Sequence, residues 1–180
     1  MKKELSQEID IPNEVEAKID GNKLTVKGHE GKIEKKFNIG KLIFEKKENK
    51  IIIKYNKATK KEKRNMNSIA AHIKNMIKGV QKKFEYKLKI CFSHFPITVD
   101  VQGNKAVIKN FLGEKIPRKS EIIEGSEIKV DKEFITVTSA EIELAGQTAA
   151  NLENATKVGK RDRRVFQDGI FIINKHGKEI

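Results

Sequence analysis

The sequence predicts an α+β protein made of two tandem similar units, each a small antiparallel sheet covered by a helix. Three observations lead to this fold class. The chain contains an internal repeat, each copy begins with alternating apolar residues, and each copy ends in a helical pattern. The 180 residues are enough for one ordinary domain or for two small ones, and the repeat favours two.

The internal repeat relates the two parts of the chain at a constant offset of 82 residues. Each copy contains a Gly-Asn pair, Gly21-Asn22 and then Gly103-Asn104, with alternating apolar residues on both sides. Because glycine and asparagine tolerate positive φ, this pattern predicts a β-hairpin in each copy. The apolar positions of the hairpin strands are Val15, Ala17, Ile19, Leu24 and Val26, and then Ile97, Val99, Val101, Ala106 and Ile108. The positions of a later strand are Ile51, Ile53 and Tyr55, and then Ile135 and Val137.

A helix is predicted after the strands of each copy. Thr59 and Glu62 have the spacing of a capping box and Gly79 lies near the other end, so we expect a helix from about residue 60 to about residue 80. Its apolar stripe is Met66, Ile69, Ile73, Ile77, Val80 and Phe84. The stripe of the second copy is shorter: Ala149, Leu152 and Ala155. With each helix packed on its own strands, the expected domains are residues 1–82 and 83–180.

The charge of the chain favours a polyanionic partner. Lysine and arginine number 38 against 25 acidic residues, which gives a net charge of +13. Nucleic acid is the first candidate and a membrane surface the second. No apolar run is long enough for a spanning helix, the acidic N-terminal region does not resemble a secretory signal, and the single cysteine, Cys91, cannot form an internal disulfide. We therefore expect a cytoplasmic protein with no membrane partner.

Catalysis is not expected, because the sequence contains no phosphate-binding glycine loop, dinucleotide fingerprint, zinc helix or serine elbow. Cys91 and His94 have the C-x-x-H spacing of a metal site or a nucleophile pair, but zinc needs three or four ligands and no second cysteine exists. Asp162 and Asp168 flank the arginines and are expected to pair with them, with an acid/base dyad as the less favoured alternative. We expect no metal, no cofactor and no small-molecule substrate.

Two segments are candidates for binding a phosphate backbone. The first, here called the basic segment, is residues 157–164, which contain five basic residues and a single acidic one, Asp162. The second, here called the glycine loop, is residues 110–119, where Gly113 precedes Lys115, Pro117 and Arg118. A loop of this kind can follow the irregular backbone of folded RNA. Both segments can also be merely solvated surface, and the lysine-rich run from Lys57 to Arg64 is best explained in that way.

Four stretches in the order of a known family carry a resemblance that covers nearly the whole chain. They are Asn75-Met76-Ile77-Lys78-Gly79-Val80, His94-Phe95-Pro96-Ile97, Asn110-Phe111-Leu112-Gly113-Glu114-Lys115 and residues 160–171. In these stretches the chain resembles the L-six family of large-subunit ribosomal proteins, in its archaeal and eukaryotic form. The family has two tandem α+β units, which agrees with the repeat.

The resemblance implies a structural, non-enzymatic protein of the large ribosomal subunit. It would bind large-subunit ribosomal RNA mainly through the second unit, near the sarcin-ricin loop and the translation-factor site, beside neighbouring large-subunit ribosomal proteins. Together, the resemblance and the charge pattern predict these RNA-binding residues: Phe111, Leu112, Gly113, Glu114, Lys115, Arg118, Lys157, Lys160, Arg161, Arg163 and Arg164. Phe171 stands where the family commonly has Tyr, so a hydroxyl contact there would be lost. The alternative function is an extraribosomal RNA-binding or ribosome-assembly factor built on the same unit.

Overall fold

The computed structural model describes residues 3–40, 42–47 and 49–180. The chain divides into two compact units, residues 1–83 and 84–180. In the described part of each unit there are antiparallel strands and one α-helix, so the predicted α+β class is confirmed. The strands of each unit form two sheets, where the sequence pattern predicted one.

The described residues of the first unit form two three-stranded antiparallel sheets and a long helix. The strand orders are β1-β6-β5 and β2-β3-β4. The elements are β1 Lys3–Asp10, β2 Glu16–Asp20, β3 Lys23–Gly28, β4 Gly31–Lys36, β5 Ile43–Lys47, β6 Lys50–Ala58 and α1 Lys60–Gln81.

The second unit repeats this plan and adds two strands. Its sheets have the orders β10-β9-β8 and β11-β12-β7-β13-β14. The elements are β7 Phe84–Cys91, β8 Thr98–Gln102, β9 Lys105–Lys109, a 3-10 turn Phe111–Gly113, β10 Arg118–Glu121, β11 Ser126–Asp131, β12 Phe134–Ser139, α2 Ile142–Ala155, β13 Gly169–Lys175 and β14 Lys178–Glu179. The basic segment lies in the connection from α2 to β13, which pairs with β7, the central strand of the five-stranded sheet.

The predicted hairpins are present in both units. Gly21 and Gly103 occupy the same turn position, with φ of +57° and +58°. A residue with a Cβ is strained at such angles, which explains why glycine recurs there. The strands on the two sides of each turn pair in the expected way, with Ala17 opposite Val26 and Val101 opposite Ala106.

The helices cover the sheets through their apolar stripes. In α1 the predicted stripe is buried from Met66 to Val80, whereas Phe84 lies beyond the helix and begins β7. In α2, Ala149 and Leu152 are buried as expected, and the helix begins earlier than its stripe, at Ile142. The core of the second unit includes Leu88, Ile108 and Ile135. Within the described residues no helix is long and apolar enough to cross a membrane.

The predicted capping box at the start of α1 forms and supports a test of helix stability. The Thr59 hydroxyl accepts a hydrogen bond from the Lys61 N–H at 3.3 Å, and the Glu62 carboxylate accepts one from the Thr59 N–H at 2.9 Å. We expect Thr59→Ala to lower the free energy of unfolding by about 1 kcal/mol in urea denaturation, because it leaves helix N–H groups without a protein acceptor. Lys60→Ala, one residue into the helix, serves as the control. Equal stability of the two variants would contradict this role.

Candidate nucleic-acid interface

Three loops of the second unit meet around the predicted binding residues. The glycine loop contacts the basic segment through Arg118, whose guanidinium donates to the backbone carbonyl of Lys157 at 3.2 Å. The glycine loop also contacts the loop between β7 and β8, because the Asn110 amide donates to the Pro96 carbonyl at 3.1 Å. The structure therefore brings the two predicted segments together. It adds a third, residues 92–97, which charge patterning did not identify.

Arg118 holds the glycine loop to the end of α2. Its Nε and Nη2 donate to the two carboxylate oxygens of Glu114 at 2.8 and 2.6 Å, and its Nη1 donates to the Ala155 carbonyl at 2.9 Å. The hydrogen bond from Arg118, with a smaller contribution from the nearby charge of Arg161, lowers the pKa of Glu114. A bidentate arginine-carboxylate pair fixes both groups in direction. Arg118 is thus used within the protein, and its role is to position the loop.

Phe111 lies beneath this arrangement. Its ring is 1% exposed and packs in the core of the second unit, and the Arg118 guanidinium lies 4.2 Å from the ring centre. A ring this deeply buried does not present itself to a ligand. The expectation that Phe111 makes a direct contact is therefore replaced by a supporting role, because the 3-10 turn directs the ring inward.

The glycine loop has an unusual backbone that exposes its tip. Asn110, Leu112 and Gly113 have φ of +59°, +48° and +74°. Such angles are costly for residues other than glycine and persist where the surrounding structure determines them. A Cβ on Gly113 would lie 3.3 Å from the Phe95 ring, so glycine also permits close packing of the two loops. Beyond the turn, Lys115 is exposed and Ile116 is 81% exposed.

Most cations of the basic segment form no ion pair within the described residues. Arg164 is the exception, because its Nη2 lies 2.8 Å from Asp162 Oδ2 and its N–H donates to the same carboxylate. These hydrogen bonds lower the pKa of Asp162. The predicted pairing of Asp162 with an arginine is confirmed. In the part of the chain that the structure describes, these exposed cations have no ion pair: Lys115, Lys157, Lys160, Arg161 and Arg163. They are called the free cations below.

The chain that follows the basic segment is joined to the loop after β7 by the buried carboxylate of Asp168. Asp168 Oδ1 lies 2.8 Å from His94 Nδ1 and accepts from the Ser93 hydroxyl at 2.8 Å, while Oδ2 accepts from the His94 N–H at 3.2 Å. The predicted pairing of Asp168 with an arginine is wrong. The carboxylate points into the protein, where Ser93 and His94 supply its partners.

Aromatic contacts extend this network to the surface. The His94 ring stacks on the Phe166 ring with centroids 4.9 Å apart, and the Arg161 guanidinium lies 4.8 Å from the Phe166 centroid. Cations are attracted to the face of an aromatic ring, which limits the directions that Arg161 samples. A continuous series of contacts thus joins the buried Asp168 to an exposed arginine.

The ionisation of Asp168 follows from two opposing effects. Burial raises the pKa of the Asp168 carboxyl, but hydrogen bonds from the side chains and N–H groups of His94 and Ser93 outweigh it and lower the pKa to about 2. Donors that favour the charged form of a carboxyl act in this direction. Asp168 is therefore a carboxylate at neutral pH.

The Ser93, His94 and Asp168 group does not have the geometry of a hydrolase triad. In such a triad the serine and the carboxylate contact opposite nitrogens of the histidine ring. Here Ser93 Oγ lies 3.1 Å from the same Nδ1 that contacts Asp168, and the serine donates to the carboxylate itself. Cys91 is a free, half-buried thiol at the end of β7. Among the described residues there is no group of three metal-ligating side chains.

The Arg118 contacts lead to a prediction about stability. Arg118→Ala removes the hydrogen bonds to Glu114 and to two backbone carbonyls, so we expect the free energy of unfolding to fall by about 1 to 2 kcal/mol. Arg118→Lys keeps the charge without the bidentate geometry and should recover only part of this loss. Urea denaturation of the full chain measures both. If Arg118→Lys has the same free energy of unfolding as wild type, the bidentate geometry is not needed and charge alone holds the loop.

The Asp168 network leads to a prediction about pH. Because the folded-state pKa lies below the ordinary value of 3.8, ionised Asp168 stabilises the fold above about pH 4, and this contribution is lost as the pH falls towards about 2. We expect Asp168→Asn to be less stable than wild type near neutral pH, and the difference to shrink over that acidic range. Thermal unfolding at a series of pH values measures it. The exposed Asp131→Asn variant is the control and should show no such difference. A difference for Asp168→Asn that is independent of pH would contradict the assignment.

Comparison with known proteins identifies the family. Residues 11–83 and 95–169 match the model of the ribosomal protein L6 family. Large ribosomal subunit protein uL6 of Staphylothermus marinus is 49% identical over 93% of each chain. The uL6 protein of Sulfurisphaera tokodaii is 45% identical over 95% of this chain and 92% of its own, and that of Methanobrevibacter smithii is 43% identical over 95% and 96%. The resemblance stated from four sequence stretches is confirmed. The chain belongs to the ribosomal protein L6 family, whose members are structural, non-enzymatic components of the large ribosomal subunit.

Proposed function

We propose that this protein binds large-subunit ribosomal RNA through the second unit, on the surface formed by the free cations and the tip of the glycine loop. The observation that carries the proposal is the fixed support beneath these cations. Asp168 and Arg118 join three loops into one surface. This surface exposes four cations that form no ion pair within the described residues: Lys157, Lys160, Arg161 and Arg163.

Fixed cations suit a phosphate backbone for two reasons. Each cation that neutralises a phosphate releases condensed counterions, which favours binding at moderate salt. Arginine in addition donates two parallel hydrogen bonds to a phosphate, so its orientation determines the register of the RNA. Arg161 has such an orientation from its contact with Phe166. The backbone at Lys160 is left-handed, with φ of +58°, and the residue is exposed.

The tip of the glycine loop is suited to a contact by shape. Lys115 supplies a charge, and the exposed side chain of Ile116 supplies an apolar surface next to Pro117. RNA is recognised largely through its shape, in the shallow groove and in irregular loops. In this proposal Leu112 and Gly113 set the direction of the tip, and Glu114, Arg118 and Phe111 hold it from behind.

The location proposed for this surface follows from the family resemblance. We place the bound RNA near the sarcin-ricin loop and the translation-factor site, with other large-subunit proteins as neighbours and the cytoplasm as the compartment. The role of the protein there is to stabilise folded RNA by phosphate neutralisation and fit of shape.

Crosslinking of RNA to the tagged protein in cells tests the proposal. The variant Arg161→Ala, Arg163→Ala, Arg164→Ala is compared with Lys60→Ala, Lys61→Ala, Lys63→Ala, which removes the same charge from the start of α1 in the first unit. We expect wild-type reads to concentrate in one region of large-subunit RNA, to be lost in the arginine variant and to persist in the lysine variant. In binding assays the arginine variant should lower the slope of log affinity against log salt by about 2.

Three outcomes would contradict parts of the proposal. Equal loss of reads in both variants would show that net charge matters more than this surface. If the reads persist in the arginine variant, the protein contacts ribosomal RNA through residues other than these arginines. Diffuse reads, together with sedimentation of the protein apart from ribosomal particles, would favour an extraribosomal RNA-binding factor.

A further inference from the structure

A groove in the second unit lies directly beside the basic segment. Its walls are the C-terminal end of α2, the end of β7 and the chain that leads into β13. Its volume is about 760 Å³, within the range of sites that enclose a small organic ligand. Two of the free cations, Lys157 and Arg163, line it. The groove is therefore continuous with the surface proposed to bind phosphates.

One wall of the groove is aromatic and apolar. Phe92, Val165 and Phe171 line it, and they are 45%, 61% and 42% exposed. Adjacent apolar side chains left in water mark a surface that a partner covers. The Phe171 ring lies close to Gly169, because a Cβ at that position would be 3.2 Å from the ring and glycine lets the ring approach the strand.

The remaining lining groups are polar and suit the edge of a nucleobase. Asn154 and Gln167 present amides, and Glu153 presents a carboxylate. The Gln167 amide nitrogen donates to the Arg164 carbonyl, which leaves its oxygen as an acceptor. The other carboxylate, Asp168, is already satisfied by Ser93 and His94. Amides and a carboxylate match the amino and carbonyl groups of a base, whereas an apolar protein side chain would leave them unused.

We propose that this groove receives one unstacked nucleotide of the bound RNA. The base stacks against Phe171 and Phe92, and the flanking phosphates lie on Lys157 and Arg163. Aromatic side chains commonly hold unstacked bases in this way, since every base has a face that stacks. The inference rests on the proposed function and adds to it a site for a base, where the free cations alone contact only the backbone.

Chemical probing of ribosomal RNA tests the groove. Large subunits are prepared from cells that carry wild type, Phe171→Ala or Phe92→Ala. They are treated with dimethyl sulfate, kethoxal and a water-soluble carbodiimide, which together modify all four bases, and with hydroxyl radicals for the backbone. We expect one or two bases to be protected in wild type and to become about tenfold more reactive in both variants. Backbone protection by the free cations should stay unchanged.

Two controls keep the result specific. Phe134→Ala removes a phenylalanine of similar exposure, 46%, that lies in the same sheet but does not line the groove, and it should leave all reactivities unchanged. Phe171→Leu keeps apolar bulk without a ring and should raise the reactivity of the same bases less than Phe171→Ala does. A photoreactive benzophenone in place of Phe171 should crosslink to one of these nucleotides.

The possible failures are distinguishable. If backbone protection is present in wild type and no base responds to Phe171→Ala or Phe92→Ala, the groove does not hold a base, and the proposed function stands. A benzophenone crosslink to a ribosomal protein would give the groove a protein occupant and overturn the inference. Absence of backbone protection in wild type would overturn the proposed function and this inference with it.

Discussion

The buried carboxylate of Asp168 is the constraint on which the arrangement of the second unit's loops depends. A charged group removed from water must find hydrogen-bond donors, or its desolvation destabilises the fold. Ser93 and His94 supply those donors from a loop 74 residues earlier in the chain. The segment before β13 therefore packs against the loop after β7. The His94 ring stacks on the Phe166 ring, which in turn contacts the Arg161 guanidinium.

Two arginines of the basic segment have side-chain partners that orient them, because Arg161 lies on the Phe166 ring and Arg164 pairs with Asp162. The first 84 residues hold 22 of the 38 basic residues, yet some of their lysines are paired: Glu34 forms ion pairs with both Lys23 and Lys32, and these lower its pKa to about 2. An array that is already ordered loses less conformational freedom when it binds a phosphate backbone. In the proposed function, Arg118 and Asp168 contribute to such order from within the protein, by holding the loops that carry the cations.

The sequence predicted those features that depend on local pattern. Gly21 and Gly103, the apolar alternation beside them and the stripe of α1 are short-range signals, and each corresponds to the observed element. The strand β1 was missed because charged or polar residues occupy six of its eight positions. The first turns of α2 were missed although Ile142 and Ala145 continue the stripe, because Gly146 is a poor helix former. The roles of Asp168 and Arg118 could not be predicted, because the partners of Asp168 and the backbone carbonyls that Arg118 contacts are distant in sequence, and only the folded chain brings them together.

The affinity of His94→Ala for a large-subunit ribosomal RNA transcript, measured over a series of salt concentrations, tests most directly whether fixed cations make the interface. This variant retains all the lysines and arginines and removes the link between Asp168 and Phe166. We expect binding about tenfold weaker than wild type at physiological salt, with the overall fold retained by circular dichroism. His29→Ala, whose side chain is 90% exposed in the first unit, should bind like wild type. Equal affinity of His94→Ala and wild type at every salt concentration would contradict the claim, because charge alone would then account for binding.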